Sequence, residues 1–286
     1  MLRRALRAAP ALKRKGTVNM AIFGFIGVGN MGGALARAAC RSVPAEQVVL
    51  ANRTPEKARA LAAELGCRAA DSRAAAAEAD FLFLGVKPQM MAELCGQLAP
   101  VLAERKDRFV LVTMAAGLTI ETIQKLAGGE YPVIRIMPNT PCAIGEGMTL
   151  YTPGPGVTHE EEAAFLAGMT GAGEFLSLPE RLIDAGSAIS GCGPAYVYLF
   201  IEALADGGVA CGLPRADAQK LAAQTLAGAA RLVQQSGRHP GELKDAVCSP
   251  GGTTVQGVRA LEERGFRAAA MNAVIAAYEK TLALKG

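Results

Sequence analysis

The sequence has few residues that could bind a metal. Only two histidines, His159 and His239, occur in 286 residues, and the seven cysteines are scattered, odd in number and without a CxxC pair. Structural zinc sites are built from such pairs and from clustered histidines, so we expect no metal site. Unpaired cysteines of this kind are typical of a reduced protein, which predicts a cytoplasmic location.

A membrane-spanning segment and a basic surface are also missing. No run of about 18 residues is free of charged and turn-forming residues, which argues against a membrane span. The net charge of +4 depends on residues 1–19, which carry six basic residues and no acidic one; without them, 24 basic residues face 26 acidic ones. With that balance, the chain after the leader lacks the excess of basic residues that is typical of nucleic-acid-binding proteins. The leader is poor in serine, which favours a mobile extension or an upstream start over a targeting peptide.

The chain after the leader begins with a pattern typical of dinucleotide binding. MAIFGFIGVGNMGGALARAAC predicts a buried strand, a turn with Gly27, Gly29 and Gly32 in GxGxxG spacing, and an alanine-rich helix. The first glycine permits the tight turn, the second lets a pyrophosphate approach, and the third lets the helix lie close to the strand. The helix N-terminus then offers N–H groups and a positive dipole end to the phosphates.

The end of the next predicted strand lacks the acidic residue that NAD enzymes place there. After QVVLA the chain has Asn52, Arg53 and Thr54, and the first acid is Glu56. A carboxylate bonds the ribose 2′-hydroxyl of NAD but repels a 2′-phosphate, whereas a guanidinium and a hydroxyl suit that phosphate. The sequence therefore favours NADPH; NADH is the alternative if Arg53 is only a solvated charge.

Three more buried strands are predicted, in DFLFLGVKPQ, FVLVTMAAGLTI and YPVIRIMPNTPC, with helical segments between them. This alternation predicts an α/β fold with a parallel, doubly wound sheet, a Rossmann-type domain in residues 20–179. Ligands of such sheets bind beyond the carboxyl ends of the strands. Those ends are small, kinked or polar, as a cofactor trough requires: Val86-Lys87-Pro88, Ala115-Ala116-Gly117 and Met137-Pro138-Asn139-Thr140-Pro141.

Residues 180–286 contain only helical patterns. They include a long helix opened by Pro194, an amphipathic helix closed by Gly237, and further helices to the C-terminus, interrupted by CSPGGTTVQG. Apolar residues cover much of the circumference of several helices, and such helices need neighbours on more than one side. The sequence therefore predicts an all-α C-terminal dimerisation domain and a homodimer formed through it.

Six motifs resemble those of the pyrroline-5-carboxylate reductases: GFIGVGNMGGALA, VKPQ, AAGLTI, MPNTP, SGCGPAYVY and HPGELKDAVCSPGGTT. They run in order from about Met20 to the C-terminus, and the last is highly specific. The resemblance implies NAD(P)H-dependent reduction of Δ1-pyrroline-5-carboxylate to L-proline, the last step of proline biosynthesis. It also implies a Rossmann domain followed by a helical domain, and interlocked dimers that often assemble further, commonly into decamers.

The resemblance assigns site residues through the matched motifs. The phosphates and adenosine of the cofactor would meet Gly27, Val28, Gly29, Asn30, Met31, Gly32, Asn52, Arg53 and Thr54. The nicotinamide side would be lined by Val86, Lys87, Pro88, Ala115, Ala116 and Asn139. The substrate would be held by Ser249, Gly251, Gly252, Thr253 and Thr254. Cys192 departs from the family, which usually has serine there; a thiol is the weaker hydrogen-bond donor.

Thr254 is the catalytic candidate within this scheme. The reaction delivers a hydride to the carbon of a C=N bond, and an imine is basic enough to arrive as an iminium. No histidine or lysine acid is then needed, and His159 and His239 are interpreted as structural or solvated. The Thr254 hydroxyl would bond the ring nitrogen, while N–H groups from Gly251 to Thr254 bind the carboxylate at the start of the next helix.

The residues leave two other functions open. A β-hydroxyacid dehydrogenase shares the glycine turn and a helical second domain, but it needs a lysine on the helix that GPAYVYLFIEALAD forms here without one. A non-catalytic NADPH-binding protein would have no reason to combine SPGGTT with the strand-end loops. We therefore expect an enzyme with a small-molecule substrate and with neither nucleic acid nor membrane as a partner.

Overall fold

The computed structural model describes residues 11–14 and 17–283. Two compact units are present: the first contains the chain through Gly191 together with the residues from Tyr278 onward, and the second contains Cys192–Ala277. Part of the basic leader forms two short antiparallel strands, β1 (Ala11–Arg14) and β2 (Thr17–Met20). The rest of the leader, expected to be a mobile extension, lies outside the described residues.

The first unit is built on a sheet of eight strands. They are β3 (Phe23–Ile26), β4 (Val48–Ala51), β5 (Arg68–Ala69), β6 (Phe81–Leu84), β7 (Val110–Thr113), β8 (Val133–Met137), β9 (Gly147–Pro153) and β10 (Gly173–Ser177). Their order in the sheet is β10-β9-β8-β7-β6-β3-β4-β5. The run from β5 to β8 is parallel throughout, which confirms the doubly wound Rossmann-type sheet.

Helices cover both faces of this sheet, as parallel strands require. They are α1 (Asn30–Ser42), α2 (Pro55–Leu65), α3 (Ser72–Glu78), α4 (Met91–Glu104), α5 (Ile120–Ala127), α6 (His159–Gly168) and α7 (Glu180–Ser190). Alternate residues of each strand enter one of two cores, because side chains alternate between the faces. Phenylalanines dominate one face, where the rings of Phe25 and Phe83 stack with centroids 4.3 Å apart.

The sheet is mixed rather than wholly parallel, which corrects the sequence-based expectation. Strand β9 runs antiparallel to β8, and β10 pairs parallel to β9. The chain leaves β8 through a short 3-10 turn, Thr140–Ile144, instead of a crossover helix. So short a connection can only place the next strand antiparallel to its neighbour. The carboxyl ends of the parallel strands, where a cofactor binds, are unaffected.

A buried ion pair joins the sheet to α7. Arg135 in β8 is 1% exposed and donates through Nη2 to Asp184 Oδ1 at 2.7 Å. Its Nη1 reaches Glu180 Oε1 at 3.3 Å, and that same oxygen accepts the Ile120 N–H at 2.8 Å. These bonds join β8, the start of α5 and α7, and they explain why α7 packs with the sheet.

The second unit is all helical, as predicted. Its helices are α8 (Gly193–Ala210), α9 (Arg215–Ser236), α10 (Pro240–Val247), α11 (Thr253–Glu263) and α12 (Phe266–Ala283), whose last residues fall in the first unit. The buried core is small and consists of Ala205, Ala218 and Ala222. Many large apolar side chains are exposed, among them Val197, Tyr198, Leu199, Leu221, Leu232, Met271 and Ile275. So much exposed apolar surface marks an interaction surface.

One helical stretch in the described part of the chain, Glu180–Ala210, is long and apolar enough to cross a membrane. Only 11% of its most apolar window is buried. The stretch qualifies by length and composition only, and an apolar helix that packs against a second protein chain would qualify in the same way. The stretch is therefore weak support for a membrane span.

We expect Asp184→Ala to lower the free energy of unfolding by about 3–5 kcal/mol, because it leaves the buried Arg135 guanidinium without its close partner. Urea unfolding at fixed protein concentration measures the loss. Glu56→Ala is the control: it removes the exposed ion-pair partner of Arg59 and should leave the unfolding midpoint unchanged. Equal effects of the two variants would show that the buried pair contributes no more than a surface pair.

Candidate active site

Two glycines pack closely against the carbonyl oxygen of a third, Gly27, at the carboxyl end of β3. Gly27 has φ +97°, in the left-handed region that only glycine adopts easily. A Cβ atom at Gly32 or at Gly85 would overlap the Gly27 carbonyl oxygen. At Gly29, in contrast, a Cβ would meet no protein atom within 4 Å. The steric reason for Gly29 therefore lies outside this chain, which fits the close approach of a phosphate.

The start of α1 is suited to an anion. Its N-cap is Gly29, and no side chain caps the first N–H groups. Asn52 shapes the preceding loop: its Oδ1 accepts the Val28 N–H at 3.2 Å, and its Nδ2 donates to the Thr54 carbonyl at 3.1 Å. Asn52 thus ties the end of β4 to the glycine turn, so that both segments border the same space.

That space is a cavity of about 500 Å³. It brings together the segments at the carboxyl ends of β3, β4 and β6 with residues of α2, α3 and α4. Its lining consists of Ile26, Gly27, Gly29, Asn52, Arg53, Thr54, Lys57, Ser72, Gly85, Val86, Lys87, Met90, Glu93, Leu94 and Gln97. Glycine backbone, three cations and hydroxyl groups form a donor set that fits a phosphorylated dinucleotide.

Eight of these residues were not predicted from the sequence, among them Ile26 and Gly85, which adjoin the predicted strand-end residues. Lys57 lies in the first turn of α2, one turn after Arg53, and Ser72 begins α3. The others are Met90, Glu93, Leu94 and Gln97, which follow the i, i+3, i+4, i+7 spacing of one helical face. That spacing is visible in the sequence, but it does not reveal whether the face borders the cavity or solvent.

The residues expected on the nicotinamide side divide into two groups. Val86 and Lys87 line the cavity, whereas Pro88, Ala115, Ala116 and Asn139 are not among its lining residues in the described chain. For these four the cofactor role stays a prediction.

The Asn139 side chain is buried, and both of its polar atoms bond protein backbone. Its Oδ1 accepts the Met148 N–H at 3.0 Å, and its Nδ2 donates to the Ser190 carbonyl at 2.9 Å. It thus fixes the loop after β8 to β9 and to the end of α7.

The SPGGTT segment of the second unit forms a tight turn followed by a helix. The Gly252 N–H donates to the Ser249 carbonyl at 3.0 Å, with Pro250 and Gly251 between them. Gly251 has φ +70°, and proline followed by such a glycine is the signature of a type II turn. Gly252 is the N-cap of α11, and it has no side chain that could accept a hydrogen bond from the N–H groups of the first turn. The turn presents them, and the Thr254 hydroxyl, at the start of the helix.

Cys192 and His239, both discussed in the sequence analysis, have hydrogen-bond partners nearby in the second unit. The Cys192 thiol contacts the Tyr196 hydroxyl; burial and this contact raise the pKa of Tyr196. Tyr196 also donates to the Ala273 carbonyl at 3.2 Å. His239 is the N-cap of α10, where Nδ1 accepts the Gly241 N–H at 3.0 Å. These contacts support a structural interpretation of His239 and connect Cys192 to helix packing.

Two family models match the chain. Residues 180–284 match the pyrroline-5-carboxylate reductase dimerisation model. Residues 22–117 match the model described as NADP oxidoreductase, coenzyme F420-dependent. The two matches correspond to the helical segment and to the first strands of the sheet.

Known relatives extend the similarity over nearly the whole chain. The pyrroline-5-carboxylate reductase of Escherichia coli (strain K12) is 43% identical over 261 residues, covering 90% of this chain and 96% of that protein. The enzyme of Pisum sativum is 43% identical, with 90% and 94% covered.

Solved structures agree with these relatives. The Plasmodium falciparum pyrroline carboxylate reductase with NADP bound aligns with a TM-score of 0.82 at 32% identity, over 93% of this chain and 98% of that one. The Coxiella burnetii pyrroline-5-carboxylate reductase aligns with a TM-score of 0.86 at 30% identity, over 94% and 100%.

Substitutions in the glycine turn should separate ligand contact from folding. We expect Gly29→Ala to keep a near wild-type Tm while the Kd for NADPH rises about tenfold or more, because the new methyl group occupies space that only the ligand uses. Gly32→Ala should lower the Tm itself, since its methyl group overlaps protein backbone. Thermal melts and fluorescence titration with NADPH measure both.

The matched control is Gly33→Ala, whose Cβ would lie 3.5 Å from Leu61 Cδ2, an ordinary contact. It should leave both the Tm and the NADPH affinity close to wild type. Wild-type NADPH binding by Gly29→Ala would contradict the role assigned to Gly29.

Proposed function

The chain belongs to the pyrroline-5-carboxylate reductase family, and from that premise we propose how its residues divide the work of the reaction. It reduces Δ1-pyrroline-5-carboxylate to L-proline with a nicotinamide cofactor. When bound, the nicotinamide supplies the hydride that the C=N carbon receives. The protein's part is to bind and orient both molecules and to control charge around them. The observation that carries the proposal is the glycine turn beside a cavity lined by three cations.

The cofactor preference is proposed from the residues at the end of β4. Arg53 and Lys57 both line the cavity, and Thr54 stands between them with a hydroxyl. Neither cation pairs with an acid within the described part of the chain, so both are available to an anionic ligand. A 2′-phosphate gains from two cations, whereas the 2′-hydroxyl of NADH gains little. We therefore assign NADPH as the preferred cofactor and NADH as the weaker one.

The pyrophosphate is assigned to the turn from Gly27 to Gly32. The bare backbone at Gly29 gives it room, and the uncapped N–H groups of α1 supply hydrogen bonds and the positive end of the helix dipole. The helix has 13 residues, so its dipole is well developed. Asn52 holds Val28 in place for this contact. Val28, Asn30 and Met31 belong to the same assignment because they form the rest of the turn.

The substrate carboxylate is assigned to the turn and helix start at Ser249–Thr254. A helix N-terminus stabilises an anion by about 0.3–1 kcal/mol, and charge-assisted hydrogen bonds contribute roughly 1.5–3 kcal/mol each. Several such bonds can hold a small acid without a lysine or arginine. Gly251 is required for the turn, and Gly252 leaves the first-turn N–H groups uncapped. The geometry of this segment thus supports carboxylate binding.

Thr254 is assigned to the ring nitrogen. A cyclic imine is basic enough to be protonated before it is reduced, so the protein need not donate a proton to carbon or nitrogen during the step. The hydroxyl of Thr254 accepts the iminium N–H and fixes the ring relative to the carboxylate. His239, whose Nδ1 accepts a backbone N–H, is engaged in its helix cap instead.

The chain forms homo-oligomers, in keeping with its match to a dimerisation model. We propose that the unit of assembly is a dimer formed through the exposed apolar side chains of α8 and α9, and that dimers associate further, up to a decamer. Light scattering coupled to size exclusion distinguishes the dimer from the decamer, and a stable monomer would contradict both.

A cytoplasmic location is proposed from the free cysteines.

Arg53→Ala tests the cofactor assignment. We expect kcat/KM with NADPH to fall about 10- to 100-fold, the loss of a charge-assisted bond, while kcat/KM with NADH changes less than about twofold. Initial rates of NADPH or NADH oxidation, followed by absorbance at saturating pyrroline-5-carboxylate with the cofactor concentration varied, give kcat/KM for each cofactor. Arg59→Ala is the control, because Arg59 is a nearby arginine, in the helix that follows Arg53, but it does not line the cavity. Parallel losses with both cofactors would refute the 2′-phosphate role.

Thr254→Val tests the substrate assignment with a side chain of similar shape. We expect kcat/KM for pyrroline-5-carboxylate to fall at least about tenfold, roughly 1.4 kcal/mol of transition-state stabilisation, with the NADPH Kd unchanged. Thr254→Ser keeps the hydroxyl and should retain most of the activity. If Thr254→Val reacts at the wild-type rate, the hydroxyl has no role in catalysis.

A further inference from the structure

Helices α1 and α2 pack along a seam that ends in two thiols. Gly33 of α1 lies against Leu61 of α2, where a Cβ would be 3.5 Å from Leu61 Cδ2. One turn further, Arg37 and Glu64 form a bidentate ion pair, with Nη2 and Oε2 2.9 Å apart. These contacts bring corresponding faces of the two helices together. The next positions along the seam are Cys40, in the last turn of α1, and Cys67, which follows the glycine that ends α2.

The Cys40 and Cys67 thiols share a hydrogen bond. Both are free and half-buried, and both pack against the phenylalanine-rich core on that face of the sheet. The two residues are 27 positions apart in sequence, so the folded seam alone makes them neighbours. Partial exposure leaves the pair open to small reagents.

The two thiols differ in acidity. The hydrogen bond from Cys40 lowers the pKa of the Cys67 thiol, and the positive charge of Arg68 acts in the same direction against partial burial. The same bond raises the pKa of Cys40, which keeps its proton as the donor. Burial raises the pKa of Cys95 and of Cys142 to about 11, so these two stay protonated near neutral pH. A nucleophilic thiolate beside a protonated thiol is the arrangement found where disulfides form readily.

We propose that Cys40 and Cys67 form an oxidative modification site, at which hydrogen peroxide converts the two thiols into one intramolecular disulfide. The Cys67 thiolate attacks a peroxide oxygen, the O–O bond breaks and hydroxide leaves, so that Cys67 becomes a sulfenic acid. The Cys40 sulfur then attacks the Cys67 sulfur, the S–O bond breaks, and the hydroxyl leaves with the Cys40 proton as water. Two thiols lose two electrons, and one peroxide is reduced to two waters.

The disulfide closes a loop that contains β4 and α2. The cofactor cavity is bordered by the other end of the seam, at Gly29 and Arg53. Cys40 lies ten residues after the start of α1, which is about 15 Å along the helix axis. We therefore expect the oxidised protein to bind NADPH within about twofold of the reduced one. Its Tm should rise by about 5 °C, because the cross-link restricts the unfolded chain.

The test uses the full chain, reduced and then treated with one equivalent of hydrogen peroxide near pH 7.5. After free thiols are alkylated, a non-reducing tryptic digest should contain residues 38–41 joined to residues 60–68, two hydrogens lighter than the separate peptides. Cys211→Ser removes an exposed thiol elsewhere and should give the same product. Absence of the joined peptide at peroxide levels that already oxidise Cys211 would overturn the proposal.

Two variants test the proposed division of roles. In Cys40→Ser, Cys67 should be trapped as a sulfenic acid by dimedone, whereas Cys40 in Cys67→Ser should stay unlabelled. Cys40→Ala removes the donor that Cys40→Ser keeps, so Cys67 should react with iodoacetamide about threefold more slowly in the alanine variant, since the thiolate fraction sets the rate. Equal labelling of Cys40 and Cys67, or equal rates in the serine and alanine variants, would refute the nucleophilic role of Cys67.

Discussion

The proposed cofactor site depends on one steric constraint, the crowding of backbone around the Gly27 carbonyl oxygen. The ends of β3 and β6 and the start of α1 meet there with no room for a Cβ at Gly32 or Gly85. This close approach sets where α1 begins and therefore where its first N–H groups point. Asn52 then attaches the end of β4 to the same turn. The phosphate site that we propose is thus a by-product of how tightly three backbone segments can be packed.

A second constraint acts at the other side of the parallel strands. The Arg135 guanidinium is buried and pairs with Asp184 and Glu180 of α7. A movement of α7 away from β8 would leave that buried charge without its partners, which is strongly unfavourable. Asn139, at the end of the same strand, bonds the last turn of α7 through Ser190. Together these bonds hold the strand-end loop after β8 in one conformation.

The sequence predicts those parts of the molecule whose chemistry is local. The glycine turn follows from three positions within six residues, and the turn before α11 follows from proline and two glycines. Contacts between distant segments could not be predicted in this way. Arg135 and Asp184 are 49 positions apart, and neither has a local pattern that names the other. The cavity face of α4 shows helical periodicity, but periodicity does not say which neighbour a face meets. Strand β9 was missed because it reverses direction after a 3-10 turn, where the expected crossover helix is absent.

The small core of the second unit has a consequence for inheritance. Three alanines bury too little apolar surface to stabilise five helices, so these helices depend on surface supplied by another chain. In a cell that carries two alleles, a chain altered only in its sheet domain can still associate through a normal helical segment. Such mixed assemblies link the fate of a sound polypeptide to that of a defective one.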